Sequence, residues 1–139
     1  MLSLEEISDR LEIQQLLAAY CTAIDAGRFD ELDQLFTDDA EIDLSVTGGA
    51  YGPFGEVKAW LIETLSSMGA YMHLVSNIDL RLTGDTATAR TACVNPLVLD
   101  SKSNAVYLIC FWYEDEFTRT SGGWRFRKRT QVKCLDKLI

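Results

Sequence analysis

The residues in this chain that could carry out chemistry are few, and the first is its single histidine, His73. An imidazole is the only side chain whose unperturbed pKa lies near neutrality, so proton transfer at neutral pH would most naturally use it. A carboxylate can fix the tautomer of an imidazole and raise its basicity. Asp25 closes the predicted N-terminal helix and is the candidate for that carboxylate. Tyr20 lies earlier on the same helix and could supply a hydroxyl.

The N-terminal helix that positions Asp25 has recognisable ends. Ser3 and Glu6 fit a capping box, and Gly27 offers a stop. Asp25 falls at the edge of the helix's apolar stripe, so it can face sideways into a cavity under the helix. That stripe keeps helical spacing through Ile13, Leu16, Leu17, Tyr20 and Ile24.

The remaining elements predict helices first and strands afterwards. A second short helix is expected over 28–36 and a third over 56–68, with a strand over 40–46 and a loop over 47–55 between them. Everything after Gly69 has the pattern of strands, and His73 lies near the start of the first long one. The order predicts a single α+β domain over residues 1–139, with the helices packed on one side of an antiparallel sheet.

The charge of the chain excludes some partners. With a net charge of −8 and a pI near 4.5, the protein lacks the basic footprint that nucleic acids and anionic membranes require. We therefore expect no nucleic acid and no membrane among its partners.

Four widely spaced cysteines and one histidine make a poor set of metal ligands, so we expect no metal site. The cysteines lie in apolar neighbourhoods and are interpreted as small buried hydrophobes: Cys21, Cys93, Cys110 and Cys134. The first residues lack the basic segment and apolar run of a signal peptide, and no apolar run approaches the ~18 residues of a membrane span. A reducing, cytoplasmic location is the expectation.

The segment 106–113 is apolar on both faces, whereas an antiparallel strand normally exposes one face to water. One of its faces must line the core or a cavity, and the other is expected to meet a second subunit. This predicts a homodimer or homotrimer.

Three segments together resemble one known family. They are residues 20–43, residues 73–77 with 82–89, and residues 112–117 continuing through 123–129. Together these segments are similar to the SnoaL-like branch of the NTF2-like superfamily, and the resemblance covers essentially the whole chain. Scytalone dehydratase, bile-acid dehydratase and lindane dehydrochlorinase are the members that it resembles. The resemblance implies a cone, in which a curved antiparallel sheet and three helices from the N-terminal half enclose a deep pocket.

The resemblance also implies roles for four residues. His73 matches the family's general base and Asp25 its orienting acid, while Tyr20 matches a tyrosine that contacts substrate oxygen in the dehydratases. Arg129 matches, by its offset from the Gly-Trp pair at 123–124, an arginine that reaches the pocket of the dehydrochlorinase. Strict alternation along this strand instead assigns Arg129 to a solvated basic face, unless a bulge re-aims it.

The chain also departs from the family pattern. Asn95 falls in the region where scytalone dehydratase has a second pocket histidine, and it could at most hydrogen-bond a substrate. Leu44 occupies the place of that enzyme's second pocket tyrosine. Asn77 shares the face of His73 by period 2 and could line the pocket, though a polar strand surface explains it equally well. Asp43 lies where an isomerase of a related family carries its catalytic aspartate, and it ranks below the His73 dyad.

These residues favour a cofactor-independent lyase or isomerase acting on a small hydrophobic substrate, cyclic ones included. Elimination in the manner of a dehydratase or dehydrohalogenase would use His73 as the base. The candidate apolar walls are Phe29, Phe36, Trp60, Met68, Met72, Phe111 and Trp112. Two alternatives stay open, because this fold hosts several functions. They are a non-catalytic binding or scaffold subunit resembling the β subunit of a ring-hydroxylating dioxygenase, and an enzyme resembling polyketide cyclases.

Overall fold

Both α-helices lie in the first half of the chain and five of the seven strands follow them in the computed structural model, which describes residues 1–139. The two α-helices are α1 (Leu4–Asp25) and α2 (Phe54–Ser66), and 3₁₀ helices span Phe29–Gln34 and Ser45–Thr47. The strands are β1 (Phe36–Asp43), β2 (Tyr51–Pro53), β3 (Ala70–Tyr71), β4 (Leu74–Thr83), β5 (Thr86–Val98), β6 (Tyr107–Thr120) and β7 (Gly123–Leu138). The predicted α+β order is confirmed.

The ends of α1 are set by local chemistry. The Glu6 N–H donates to Ser3 Oγ at 3.1 Å, and the Ser3 N–H donates to Glu6 Oε2 at 2.8 Å, which completes the capping box. After Asp25 the chain turns at Gly27, whose φ of +70° is left-handed and favours glycine. Asp25 is therefore held in the last turn of a long helix, next to the face that is buried in the core.

The second helix is shorter than the predicted range 28–36, and the prediction is wrong about its C-terminal end. Only a 3₁₀ helix forms over Phe29–Gln34, and Phe36 begins β1 instead of closing a helix. The Leu35 carbonyl accepts a hydrogen bond from the Phe126 N–H at 2.8 Å. This long-range bond fixes the chain at the edge of β7, so residues from Phe36 onward extend along the sheet.

One seven-stranded sheet runs in the order β2-β1-β7-β6-β5-β3, and β4 also pairs with β5. The β1–β7 pair is parallel, and every other pair is antiparallel. The helix α1 packs on β4 and β7, while α2 packs on β1. The sheet curls around the helices as a half-barrel, which confirms the predicted cone.

Two irregularities re-aim side chains along the sheet. In β4 the register shifts between Ser76 and Asp79, where Asn77 adopts a φ of +53°. In β7 an extra residue, Arg127, is inserted opposite the Phe117–Glu116 step. Before this bulge Phe126 points inward, and after it Arg129 does, so the inward face changes from even to odd positions.

The outer face of β5 and β6 carries apolar side chains in part exposed to solvent. Val94 is exposed, Cys110 is partly so, and the Arg90 guanidinium stacks 4.5 Å from the centroid of the Trp112 ring. Assembly into a dimer or trimer through this face stays a prediction. Neither α-helix combines the length and the apolar character needed to cross a membrane.

Candidate active site

A cavity of about 220 Å³ lies between the helices and the concave face of the sheet. Hydrophobic residues make up 12 of its 18 lining residues, so a ligand inside would meet mostly apolar wall. The lining comprises Tyr20, Ile24, Leu44, Thr47, Gly48, Trp60, Leu61, Thr64, Leu65, Met68, His73, Asn95, Leu97, Leu99, Tyr107, Ile109, Tyr113 and Gln131. Leu44 makes its part of the wall apolar.

His73 is held by both oxygens of the Asp25 carboxylate. The His73 ring Nδ1 lies 2.6 Å from Asp25 Oδ1, and the His73 backbone N–H donates to Asp25 Oδ2 at 2.9 Å. An ionised carboxylate only accepts hydrogen bonds, so a neutral imidazole in this contact carries its proton on Nδ1 and its lone pair on Nε2. His73 lines the cavity, and Nε2 is the ring nitrogen that the Asp25 carboxylate leaves free.

The backbone around His73 is fixed independently of the carboxylate. The Asn95 side chain donates from Nδ2 to the Met72 carbonyl at 2.8 Å, and the Met72 N–H donates to the Pro96 carbonyl at 3.2 Å. The Tyr71 hydroxyl donates to the Ile24 carbonyl at 3.2 Å, next to Asp25 itself. These bonds tie the segment before β4 to both β5 and the end of α1, so the imidazole is pre-positioned.

Tyr20 and Tyr113 form a pair of buried hydroxyl-bearing rings in the cavity wall. Their rings meet edge to face with centroids 5.9 Å apart. Burial raises the pKa of Tyr20 to about 12, against the opposing effects of the Arg129 charge and of the Tyr113 hydroxyl. Burial also raises the pKa of Tyr113 well above its ordinary value. Both hydroxyls therefore stay protonated at neutral pH and can donate hydrogen bonds.

Arg129 is fully buried behind this pair of rings. Its Nε and Nη2 donate to the two Asp115 carboxylate oxygens at 2.8 and 3.0 Å, and both side chains have 0% exposure. The guanidinium carbon lies 4.2 Å from the Tyr20 ring centroid and 3.5 Å from that of Tyr113. Burial raises the pKa of Asp115, and the Arg129 charge opposes that rise. The bulge at Arg127 thus does re-aim Arg129, although the guanidinium lies behind the cavity wall and not in it.

Several predicted site residues do come together. The cavity is lined by four of them, His73, Tyr20, Asn95 and Trp60. The Asp25 carboxylate contacts the His73 ring at Nδ1. Among the other candidate apolar walls, Met68 also lines the cavity.

Other predicted contact residues lie elsewhere. Asn77 is exposed, because the β4 irregularity breaks the period-2 relation to His73 on which its assignment depended. Met72 is 49% exposed, since it lies in the irregular stretch before β4. Phe36 and Phe111 are buried beside the cavity: Phe36 stacks on Phe54 at 4.6 Å, and Phe111 packs against Tyr113 at 4.9 Å. These four do not line the cavity.

Three further expectations concern Asp43, two of the candidate wall residues and the cysteines. Asp43 accepts hydrogen bonds from the Ser45 N–H at 2.9 Å and the Ser45 hydroxyl at 2.5 Å. Its carboxylate therefore stabilises the turn after β1. Phe29 and Trp112 lie outside the cavity lining. Cys134 is exposed and Cys110 is partly exposed, so the interpretation of the cysteines as buried hydrophobes is confirmed only for Cys21 and Cys93.

Tyr113 and Asp115 are not among the site residues that the sequence predicts. Tyr113 ends the apolar run over 106–113, where it was interpreted only as part of a strand. Asp115 follows at period 2, so it shares the inward face of Tyr113, and a carboxylate on that face needs a buried cation. No group of three or more histidine, cysteine, aspartate or glutamate side chains is arranged to hold a metal ion.

Comparison with known proteins identifies relatives over the whole chain. The model of the family described as "SnoaL-like domain" matches residues 5–130. The uncharacterized protein Rv2910c of Mycobacterium tuberculosis is 46% identical over 139 residues, which is all of this chain and 95% of that protein.

Solved structures share the fold. The Kfla4162 protein from Kribbella flavida superposes with a TM-score of 0.85 at 25% identity, over 94% of this chain and 93% of that one. The hexachlorocyclohexane dehydrochlorinase LinA-type3 from Novosphingobium barchaimii superposes with a TM-score of 0.83 at 21% identity, over 98% and 93% of the two chains. At that identity the second likeness shows a common fold.

Proposed function

The chain belongs to the SnoaL-like domain family, and from that premise we propose that it is a cofactor-independent lyase or isomerase whose base is His73. The observation that carries the proposal is the contact between His73 Nδ1 and Asp25 Oδ1 at 2.6 Å, at the edge of a mostly apolar cavity. A histidine fixed in this way has one free nitrogen, and that nitrogen belongs to a cavity-lining side chain.

Asp25 contributes in two ways. Its two hydrogen bonds fix the ring orientation and the tautomer, so no reorganisation is required when a substrate arrives. When Nε2 takes a proton, the imidazolium forms against a carboxylate already in contact, which stabilises the charge. Positioned acid–base catalysis of this kind contributes typically about 10²–10⁴-fold.

The dimensions and chemistry of the cavity limit the substrate. A volume of about 220 Å³ lies below the roughly 300–1,000 Å³ of pockets for drug-sized ligands, so the substrate is small, about the size of one ring. The apolar wall favours a hydrophobic body, and Tyr20 can donate to one oxygen. The dehydrochlorinase that shares this fold supports elimination as the reaction class.

Carbon-acid chemistry can be tested without knowing the natural substrate. Wild type, His73→Gln and Asp25→Asn would be compared for deuterium uptake at the carbons next to the carbonyl of cyclohexanone, and for loss of water from 3-hydroxycyclohexanone. Removal of the base is expected to lower both rates by about 10²–10⁴-fold. Asp25→Asn is expected to lower them by about tenfold or more, because asparagine can present its NH₂ group to Nδ1 and so favour the wrong tautomer.

Asp38→Asn is the matched control, because it removes one exposed carboxylate that does not line the cavity. It is expected to retain wild-type rates. Equal exchange and elimination in wild type and His73→Gln would show that His73 is not the base.

A further inference from the structure

We propose that Tyr113 is a second oxygen-binding residue of this site, which with Tyr20 holds the carbonyl oxygen of a small cyclic ketone as it becomes an enolate. This rests on the proposed function, because it names the substrate class on which His73 acts. The family resemblance assigns no role to this position.

The geometry brings two hydroxyl-bearing rings from different elements into one wall. Tyr20 comes from α1 and Tyr113 from β6, and both line the same cavity as His73. Their centroids lie 5.9 Å apart, and each ring is almost completely shielded from bulk solvent. Tyr113 therefore supplies from β6 the second hydroxyl that Leu44 does not provide near β1.

A buried cation lies behind both rings. The Arg129 guanidinium carbon is 3.5 Å from the Tyr113 centroid and 4.2 Å from that of Tyr20, and Asp115 fixes its orientation. Arg129 Nη1 is buried and has no hydrogen-bond partner. A cation over the ring face makes a phenol hydroxyl a stronger donor and favours negative charge on its partner, in a site where little water screens the field. Such fixed donors stabilise charge that develops during a reaction.

The step that this arrangement serves is balanced by the groups present. His73 Nε2 takes the proton from the carbon next to the carbonyl, and the C–H electron pair forms the enolate double bond. The carbonyl π electrons move to the oxygen, which accepts hydrogen bonds from Tyr20 and Tyr113. In a β-hydroxy ketone the enolate then re-forms the carbonyl and the C–O bond to the hydroxyl breaks. The leaving oxygen takes the proton from His73, so the products are an enone and water.

The pair of hydroxyls also discriminates between substrate classes. The Tyr20 and Tyr113 hydroxyls can hydrogen-bond to each other, so a halocarbon without oxygen would leave at least one buried donor without an acceptor. A site built to hydrogen-bond an oxygen strongly rejects analogues that lack it. The wall around the pair is otherwise mostly apolar, so few other groups could satisfy the donors. We therefore infer a carbonyl substrate for this chain and not a chlorinated hydrocarbon of the kind its dehydrochlorinase fold neighbour is named for.

The test uses 4-nitrophenolate, a one-ring oxyanion that resembles an enolate, and 4-nitrotoluene, which has the same shape but no oxyanion. Dissociation constants would be measured by absorbance and calorimetry for wild type, Tyr20→Phe and Tyr113→Phe, with Tyr51→Phe as a control on an exposed tyrosine. Loss of one hydrogen bond to a charged group is expected to weaken 4-nitrophenolate binding by about 10- to 100-fold in each cavity variant. Binding of 4-nitrotoluene should not change, and neither ligand should respond to Tyr51→Phe.

The outcomes separate this inference from the proposed function. Wild-type affinity for 4-nitrophenolate in Tyr113→Phe overturns the inference, as does an equal loss for both ligands, which would indicate damaged packing. Failure of the wild-type protein to prefer 4-nitrophenolate over 4-nitrotoluene also overturns it. Deuterium exchange that survives His73→Gln would refute the base while leaving the oxygen site intact, since phenolate binding involves no proton transfer to His73.

Discussion

Replacing Asp115 by asparagine is expected to destabilise the protein by about 3–5 kcal/mol. Asp115 and Arg129 are bonded through two contacts of 2.8 and 3.0 Å and neither side chain has any exposure, so the substitution leaves a buried guanidinium without its counter-charge. A chain of 139 residues has an unfolding entropy of about 0.3 kcal/mol/K near its midpoint. The expected fall in Tm is therefore about 10–17 °C.

The neighbouring residue provides a matched control. Glu114 lies on the same strand but on the outer face, where it pairs with Arg90 at 2.6 Å and both side chains are about half exposed. Glu114→Gln is expected to cost at most about 1 kcal/mol, because solvent screens such pairs. Thermal and urea unfolding at pH 7, followed by tryptophan fluorescence and circular dichroism, would compare the two variants with wild type.

A double variant tests the reason for the loss as well as its size. If the loss of stability comes from the unpaired buried charge of Arg129, the double variant Asp115→Leu/Arg129→Met should recover much of the stability that either single change loses. The reasoning is refuted if Asp115→Asn stays within about 1 kcal/mol of wild type. Simple additivity of the two single losses in the double variant would refute it equally, because it would mean that the partners do not interact.

Two further predictions concern the cavity wall and the thiols. Gly49→Ala would place a Cβ 2.7 Å from the Leu44 Cβ and 2.9 Å from the Leu44 carbonyl oxygen. We therefore expect this variant to have lower thermal stability and weaker ligand binding. A Cβ at Gly55 would meet nothing within 4 Å, so the control Gly55→Ala should be tolerated. Burial raises the pKa of Cys21 to about 11 and that of Cys93 to about 12, so at pH 8 both thiols stay protonated. Mass spectrometry after a brief iodoacetamide treatment should therefore find neither labelled, and rapid labelling of both in the folded protein would contradict this assignment.

Much of the fold follows from local patterns in the chain. The capping box at Ser3 and the stripe from Ile13 to Ile24 predict α1 because they report only on nearby residues. The long strands after Gly69 are equally visible. The end of the second helix was missed because a bond from Phe126 to Leu35, ninety-one residues apart along the chain, decides where β1 begins. A hydrogen bond between residues so far apart cannot be predicted from the few residues around either of them.

The candidate site divides in the same way. His73, Asp25 and Tyr20 were identified because their residue types and spacing resemble a family in which those positions already have roles. The sequence predicts that Tyr113 lies on a strand, but not that it lines the cavity. The curvature of the sheet decides which inward-facing residues reach the cavity and which, like Phe111, are covered by their neighbours. Sequence periodicity describes the face of a strand and not the depth at which a residue lies.

The position of Arg129 depends on a backbone irregularity and on one distant acid together. Alternation along β7 places Arg129 on the solvated face with Arg125 and Arg127, and only the extra residue at Arg127 turns it inward. An arginine turned inward without Asp115 would be an unpaired buried charge, and Asp115 without the bulge would be a buried carboxylate facing an apolar core. Each feature is unfavourable alone, so the two are required together. The charge behind the tyrosine pair therefore exists only where both occur in one chain, and a matching arginine in a relative does not by itself imply it.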